Sequence, residues 1–119
     1  QQELINSYDN SILYTDYMLA WFVEVVQDGI GFLLFVSDHG ESLGEDKFYL
    51  HGRPDRKEQR DVPLIFWASE GFKKAHPGRY DAVSRNRHET ITHDHVFHSL
   101  LDCAGIEAEA IDRRLSICR

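Results

Sequence analysis

The sequence has no apolar run approaching the roughly 20 residues that span a bilayer, and nothing at its start reads as a secretory signal peptide. Gln1 leads almost directly into a helical pattern, which reads as an expression or proteolytic boundary rather than a natural start. Positive charge is scarce: 13 Lys and Arg stand against 20 Asp and Glu, for a net charge of −7 with His neutral. Broad nucleic-acid binding is therefore excluded, because no basic stripe is available to neutralise phosphates. The basic residues that do cluster, Arg53, Arg56, Lys57 and Arg60, are interleaved with Asp55, Glu58 and Asp61, the pattern of a solvated loop. Cysteine is limited to Cys103 and Cys118. A disulfide between them would contribute about 3 kcal/mol in an oxidising compartment, and two free thiols fit the spacing equally well. There is no Gly-x-Ser-x-Gly elbow, no Cys/His constellation and no glycine-rich phosphate loop. Thr15, Thr90 and Thr92 are the only threonines, and none stands where a strand would deliver a nucleophile to Asp38.

What is present suits one small domain with one core, in 119 residues of ordinary soluble composition. Ile5, Tyr8, Ile12, Leu19, Phe22 and Val26 recur at helical spacing and predict an amphipathic helix from about Leu4 to Gln27, stopped by Asp28 and a left-handed Gly29. Phe32 to Ser37 is apolar on both faces, as an internal parallel strand is. A polar loop is expected from Asp38 to Asp61, then a second apolar strand from Val62 to Ala68 with Pro63 at its beginning. Glu70 to His88 reads as loop, with Pro77-Gly78 a turn. A last helix is predicted with Thr92 as N-cap, Asp94 in its first turn, Val96, Phe97, Leu100 and Leu101 as its apolar face, and Gly105 as its end. No internal repeat or low-complexity segment interrupts this order, and helix–strand–strand–helix with buried strands is part of a layered α/β fold.

The chemistry gathers at the end of the first strand, in Ser37-Asp38-His39-Gly40-Glu41-Ser42-Leu43-Gly44-Glu45. Adjacent side chains on a strand point to opposite faces. Asp38 and His39 can share a metal only if the chain leaves strand geometry, a turn that Gly40 would permit. Carboxylate plus imidazole suits zinc, or manganese less specifically; the plain alternative is a turn-capping Asp beside a packed His. His51 follows twelve residues after His39, either folded back as a proton donor or ligand, or as a surface-loop His. On the last helix His95 and His98, or Asp94 and His98, share a face, although a capped helix start with a polar solvent side explains them and His93 as well. Glu41 and Glu45 are candidate acid/base carboxylates, with hydrated loop carboxylates as the plain alternative; Glu24 and Asp28 read as exposed, and His76 and His88 have no suggestive neighbours.

Four blocks together resemble the C-terminal part of the catalytic domain of bacterial phosphoethanolamine transferases, in the alkaline phosphatase/sulfatase superfamily. They are Ser7 to Tyr17, Val36 to Glu45, Tyr49-Leu50-His51-Gly52, and His93-Asp94 with Phe97 to Leu101. Their order covers nearly the whole chain, and the Val36 to Glu45 block is the specific one. The resemblance implies that residues 1–119 are the C-terminal portion of a periplasmic, sulfatase-like α/β/α domain, tethered to the inner membrane by N-terminal helices. It implies zinc held by Asp38 and His39 with a Glu and a Thr from earlier sequence, the Thr being the nucleophile. That Thr takes phosphoethanolamine from phosphatidylethanolamine and passes it to a cell-envelope acceptor. His51 matches a histidine beside the metal that binds phosphate or a second zinc and assists proton transfer. The family includes lipid A-modifying enzymes linked to polymyxin resistance. Here the loop from Arg53 to Arg60 is shorter and more charged than their Ala-Pro-Tyr type of segment, with Glu58-Gln59 as a remnant, so LPS core sugars and periplasmic glucans stand beside lipid A as acceptors. A sulfatase, a phosphoglycerol transferase or a non-catalytic binding fragment are the alternatives. Alone, the chain is expected to be inactive, to hold zinc weakly and to self-associate through uncovered strand edges and helix faces.

Overall fold

The computed structural model describes residues 1–119. Where length suggests a single core, the chain forms two compact units, residues 1–25 with 35–65 and residues 26–34 with 66–119. Helix α1 (Gln2–Val26) opens the chain, and strands β1 (Phe32–Val36) and β4 (Leu64–Ala68) hydrogen-bond to each other and pass through both units. Pro63 stands just ahead of β4, where its missing N–H costs no ladder bond. No helix is long and apolar enough to cross a membrane.

In the first unit, Leu4, Ile5, Tyr8, Thr15 and Leu19 of α1 are half-buried. Leu13, Tyr17, Trp21 and Val25 form a second apolar stripe at four-residue spacing that is at least half exposed. Ile12 and Phe22, expected on the covered face, are exposed too. The predicted loop after β1 holds more order than expected. It contains a hairpin of β2 (Ser42–Leu43) and β3 (Tyr49–Leu50), antiparallel with Ser42 opposite Leu50 and Leu43 opposite Tyr49, and a one-turn helix α2 (Lys57–Arg60). The hairpin turn places Gly44, Asp46 and Lys47 at positive φ. Arg56 braces it, 2.8 Å from Asp46 and 4.0 Å over the Phe48 ring. The other charges of this segment pair locally, Arg53 with Asp55 and both Lys57 and Arg60 with Asp61, as a solvated loop should.

The second unit holds every fully buried apolar side chain: Ala68, Phe72, Ala82, Cys103, Ile117 and Cys118. Phe72 packs on Phe32, with ring centroids 5.4 Å apart, and lies 6.1 Å from Phe66. The predicted loop from Glu70 to His88 is instead two helices, α3 (Glu70–Ala75) and α4 (Pro77–Asn86). Ser69 starts the first: its Oγ accepts from the Phe72 amide and donates to the Gly29 carbonyl at 2.6 Å. Pro77 is the first residue of the second, where a fixed φ favours a helix, so Pro77-Gly78 is a helix start and not a turn. Gly29 does not adopt positive φ, and α1 ends at Val26 without a left-handed cap. Helix α5 (Asp94–Cys103) begins one residue later than expected, with His93 at the N-cap position and Thr92 turned to His95. Its covered face is Ser99, Asp102 and Cys103, while Phe97 and Leu100 are exposed. Gly105, φ 76°, ends it as predicted.

Cys103 and Cys118 are joined, which settles the pairing that spacing left open. The bond anchors a C-terminal segment that also receives hydrogen bonds from Asn86 to the Ile117 carbonyl and gives one from the Ile117 amide to Ser99. Near it, the Arg114 fork beside Asp112 holds that exposed carboxyl well below the usual carboxylate range. Closing a loop of 15 residues stabilises a fold by about 3 kcal/mol. Reduction should therefore lower the urea midpoint of the 119-residue chain by a corresponding amount, and an unchanged midpoint would show that the tail is held without the bond.

Candidate functional site

Strand β1 delivers its last residue at Val36, and the chain bends at once. Ser37 Oγ donates to the His39 carbonyl at 2.7 Å, and the Asp38 carboxylate accepts from the His39 amide at 3.0 Å. This turn brings Asp38 Oδ2 to 3.8 Å from His39 Nε2, so the two neighbours do leave strand geometry and face one another. Gly40 is required for space, not for an unusual backbone angle: its φ is not positive, and a Cβ there would run into the Glu58 carbonyl oxygen. The close approach lets the Gly40 amide donate to the Gln59 carbonyl at 2.8 Å.

His51 lies beside His39, with ring centroids 4.1 Å apart. Glu41 joins them: its Oε1 is 2.7 Å from His51 Nδ1 and 4.0 Å from His39 Nδ1. His39, Glu41 and His51 each offer a ligand atom within 4.8 Å of the others. Asp38 stands on the other edge of His39, its side chain 88% exposed against 24% for Glu41.

Hydrogen-bond chemistry assigns the tautomers. The Gly40 carbonyl, 3.0 Å from His39 Nδ1, can only accept, so Nδ1 carries a proton and Nε2 is the ring nitrogen that faces Asp38. The Glu41 carboxylate likewise accepts from His51 Nδ1, leaving His51 Nε2 open. Glu41 Oε2 is buried without a hydrogen-bond partner. A buried, unpaired carboxylate oxygen is costly, and a cation or a donor would relieve it. Two imidazoles and carboxylates are a donor set that suits zinc.

The remaining candidates stand apart. His95 Nδ1 accepts from the Thr92 amide and His98 Nδ1 from the Asp112 amide, and no third ligating side chain joins them. Glu45 accepts from the Leu43 amide within the hairpin turn, while His76 and His88 accept from Arg79 and Arg87. Glu41, read from the sequence as an acid/base or merely hydrated carboxylate, is the residue that the turn brings to both histidines. A groove of about 430 Å³ adjoins the Asp38–His39 turn, bordered by Tyr8, Thr15, Phe35, Val62 and Pro63. Thr15 opens onto it, but its hydroxyl is bonded to the Ser11 carbonyl of its own helix.

A strand-end turn carrying Asp-His in an α/β fold defines the class, and comparison with known proteins identifies it. The sulfatase family model matches residues 1–106, and the chain belongs to the sulfatase family. It is 38% identical over 125 residues to the phosphatidylethanolamine transferase Mcr-1 of Escherichia coli, a match covering 99% of this chain and 22% of that protein. The fold is that of the soluble domain of lipooligosaccharide phosphoethanolamine transferase A from Neisseria meningitidis, with a TM-score of 0.84 and 29% identity over 97% of this chain and 37% of that one. The C-terminal periplasmic domain of EptC from Escherichia coli, solved in complex with zinc, matches at a TM-score of 0.79 and 25% identity, covering 96% of this chain and 33% of that one. The chain spans about a fifth of the length of the curated relatives it matches.

Two outcomes test this geometry. Gly40→Ala should destabilise the chain by about 1–3 kcal/mol, because the clash is with backbone and a packed site resists expansion; urea unfolding measures it. Glu41→Ala should weaken zinc binding by about 10- to 100-fold, as loss of a residue orienting a ligand does. Competition against a chromophoric chelator reads that directly, and equal affinities would remove Glu41 from the site.

Proposed function

We propose that residues 1–119 form the C-terminal portion of the periplasmic catalytic domain of a phosphoethanolamine transferase. The donor is phosphatidylethanolamine and the acceptor a cell-envelope molecule: lipid A, an LPS core sugar or a periplasmic glucan. The observation that carries this reading is the strand-end turn that sets Asp38 Oδ2 3.8 Å from His39 Nε2, with the His51 ring 4.1 Å from that of His39. The relatives named for this transfer, and the zinc complex among the structural neighbours, support it.

In this reading Asp38 and His39 hold zinc together with a Glu and a Thr from elsewhere in the complete enzyme. Bound there, the metal supplies Lewis acidity that favours an ionised hydroxyl and offsets charge on phosphoryl oxygens. The threonine oxygen attacks phosphorus, diacylglycerol departs with the ester oxygen and takes up the proton that threonine gives up, and an acceptor oxygen then displaces the threonine oxygen from phosphorus, its proton restoring the threonine hydroxyl. Protonated at Nε2, His51 donates to a phosphoryl oxygen; neutral there, it receives the acceptor's proton, while Glu41 keeps its ring oriented. The exposed apolar stripe of α1 is covered by the remainder of the domain, which N-terminal helices hold at the periplasmic face of the inner membrane.

In the complete enzyme, Asp38→Ala and His39→Ala should each lower transfer from fluorescent phosphatidylethanolamine by at least about 10²–10³-fold. Retained transfer with retained zinc would overturn the assignment. Turnover of a sulfate ester or a phosphoglycerol donor in place of phosphatidylethanolamine would move the enzyme to another branch of the same family.

A further inference from the structure

Gln59 is the side chain that ties the two imidazole-bearing segments together. It is 5% exposed. Its Nε2 donates to the Leu50 carbonyl at 2.8 Å and to Ser42 Oγ at 2.6 Å, and its Oε1 accepts from the Arg53 amide at 2.7 Å. Its main-chain carbonyl accepts from the Gly40 amide at 2.8 Å. Leu50 and Arg53 bracket His51, and Gly40 follows His39. One residue therefore grips the loop on both sides of one imidazole and the chain directly after the other.

The grip is needed because the His51 loop follows a path the backbone does not take unaided. Leu50, with φ 62°, and Gly52, with φ 106°, flank His51 in the left-handed region, which L side chains rarely adopt. We propose that Gln59 is a positioning residue: its side-chain amide holds the His51 loop against the His39 turn and thereby sets the 4.1 Å separation of the two rings. The proposal rests on the reading of His51 as a group acting beside His39. Only an amide of this length serves. Glutamate keeps the shape but loses both donors and sets a negative charge against the Leu50 carbonyl, and alanine removes all three side-chain bonds.

Nuclear Overhauser contacts in the 119-residue chain test this. They are recorded between the His39 and His51 rings, and between the Phe32 and Phe72 rings as a marker of the second unit. Gln59→Glu and Gln59→Ala should each abolish the His39–His51 contact while the Phe32–Phe72 contact persists. Persistence of the histidine contact at wild-type intensity overturns the proposal. Loss of both contacts in both variants also overturns it, because Gln59 would then serve general stability. In the complete enzyme the same variants should lower kcat by about 10²-fold, as misplacement of a reacting group by about 1 Å does, with KM for phosphatidylethanolamine within about twofold of wild type; unchanged kcat counts against the role. If the wild-type enzyme performs no such transfer, the functional reading falls and the ring contacts alone decide the role of Gln59.

Discussion

The first unit depends on a hydrogen-bonded amide where a protein more often uses a hydrophobic core. None of its apolar side chains is fully buried; the fully buried positions are Gly40, Ser42 and Gln59. Hydrophobic burial is non-directional and tolerates sliding, whereas a buried amide with three partners fixes distance and orientation together. Each such bond contributes only about 1 kcal/mol net, but an orphaned buried partner costs about 1–3 kcal/mol, so the arrangement resists partial rearrangement more than its summed bond energies suggest. The close packing of Gly40 against the Glu58 carbonyl is what brings the Gln59 main chain within reach. Glycine at 40 and glutamine at 59 are thus parts of one device, although 19 residues separate them.

The device determines what the histidines can do. Each ring has Nδ1 engaged, His39 with the Gly40 carbonyl and His51 with Glu41, so each turns Nε2 away from those partners. Rings held in this way lose less orientational freedom when Nε2 meets a ligand. Glu41 adds an imbalance: one carboxylate oxygen is satisfied by His51 and the other is buried and bare. Such a group favours cations and donors nearby and disfavours a second unpaired negative charge. In the proposed function a divalent ion joining the site would supply the positive charge that Glu41 favours and that a phosphorylated substrate requires.

Much of this was legible in the sequence, and the failures have physical causes. The apolar runs Phe32–Val36 and Leu64–Ala68 announced the paired strands, and the spacing in α1 announced a helix to within two residues of its ends. Pro77-Gly78 misled because a proline that starts a helix and one that starts a turn share the same fixed φ; Ser69, capping the helix before it, was the better signal. The face of α5 was misread because a helix pattern shows which side is apolar, not which side is covered: a disulfide and a buried serine hold Cys103 and Ser99 inward while Phe97 and Leu100 stay outside. At the site, the Asp38-His39 step and the family spacing to His51 stood out. Glu41 stood out less, since it looks like any hydrated loop carboxylate, and Gln59 figured only in the Glu58-Gln59 remnant, since two of its three side-chain partners, the Leu50 carbonyl and the Arg53 amide, are backbone atoms that no sequence pattern marks.

The two halves of the site also differ in how they are held. His39, Glu41 and His51 are fixed by bonds that begin and end within residues 38–59, so their arrangement is built before anything else joins. Asp38 is largely solvated and tied to its own neighbour's amide. A solvated carboxylate can turn to meet an incoming ion at little cost, while imidazoles in a braced loop cannot. In the proposed function the braced imidazoles would set where an ion and a phosphate group sit, and the solvated carboxylate would turn to complete the coordination. That division explains why the bracing glutamine stands behind His51 and the unbraced aspartate at the open end of the strand.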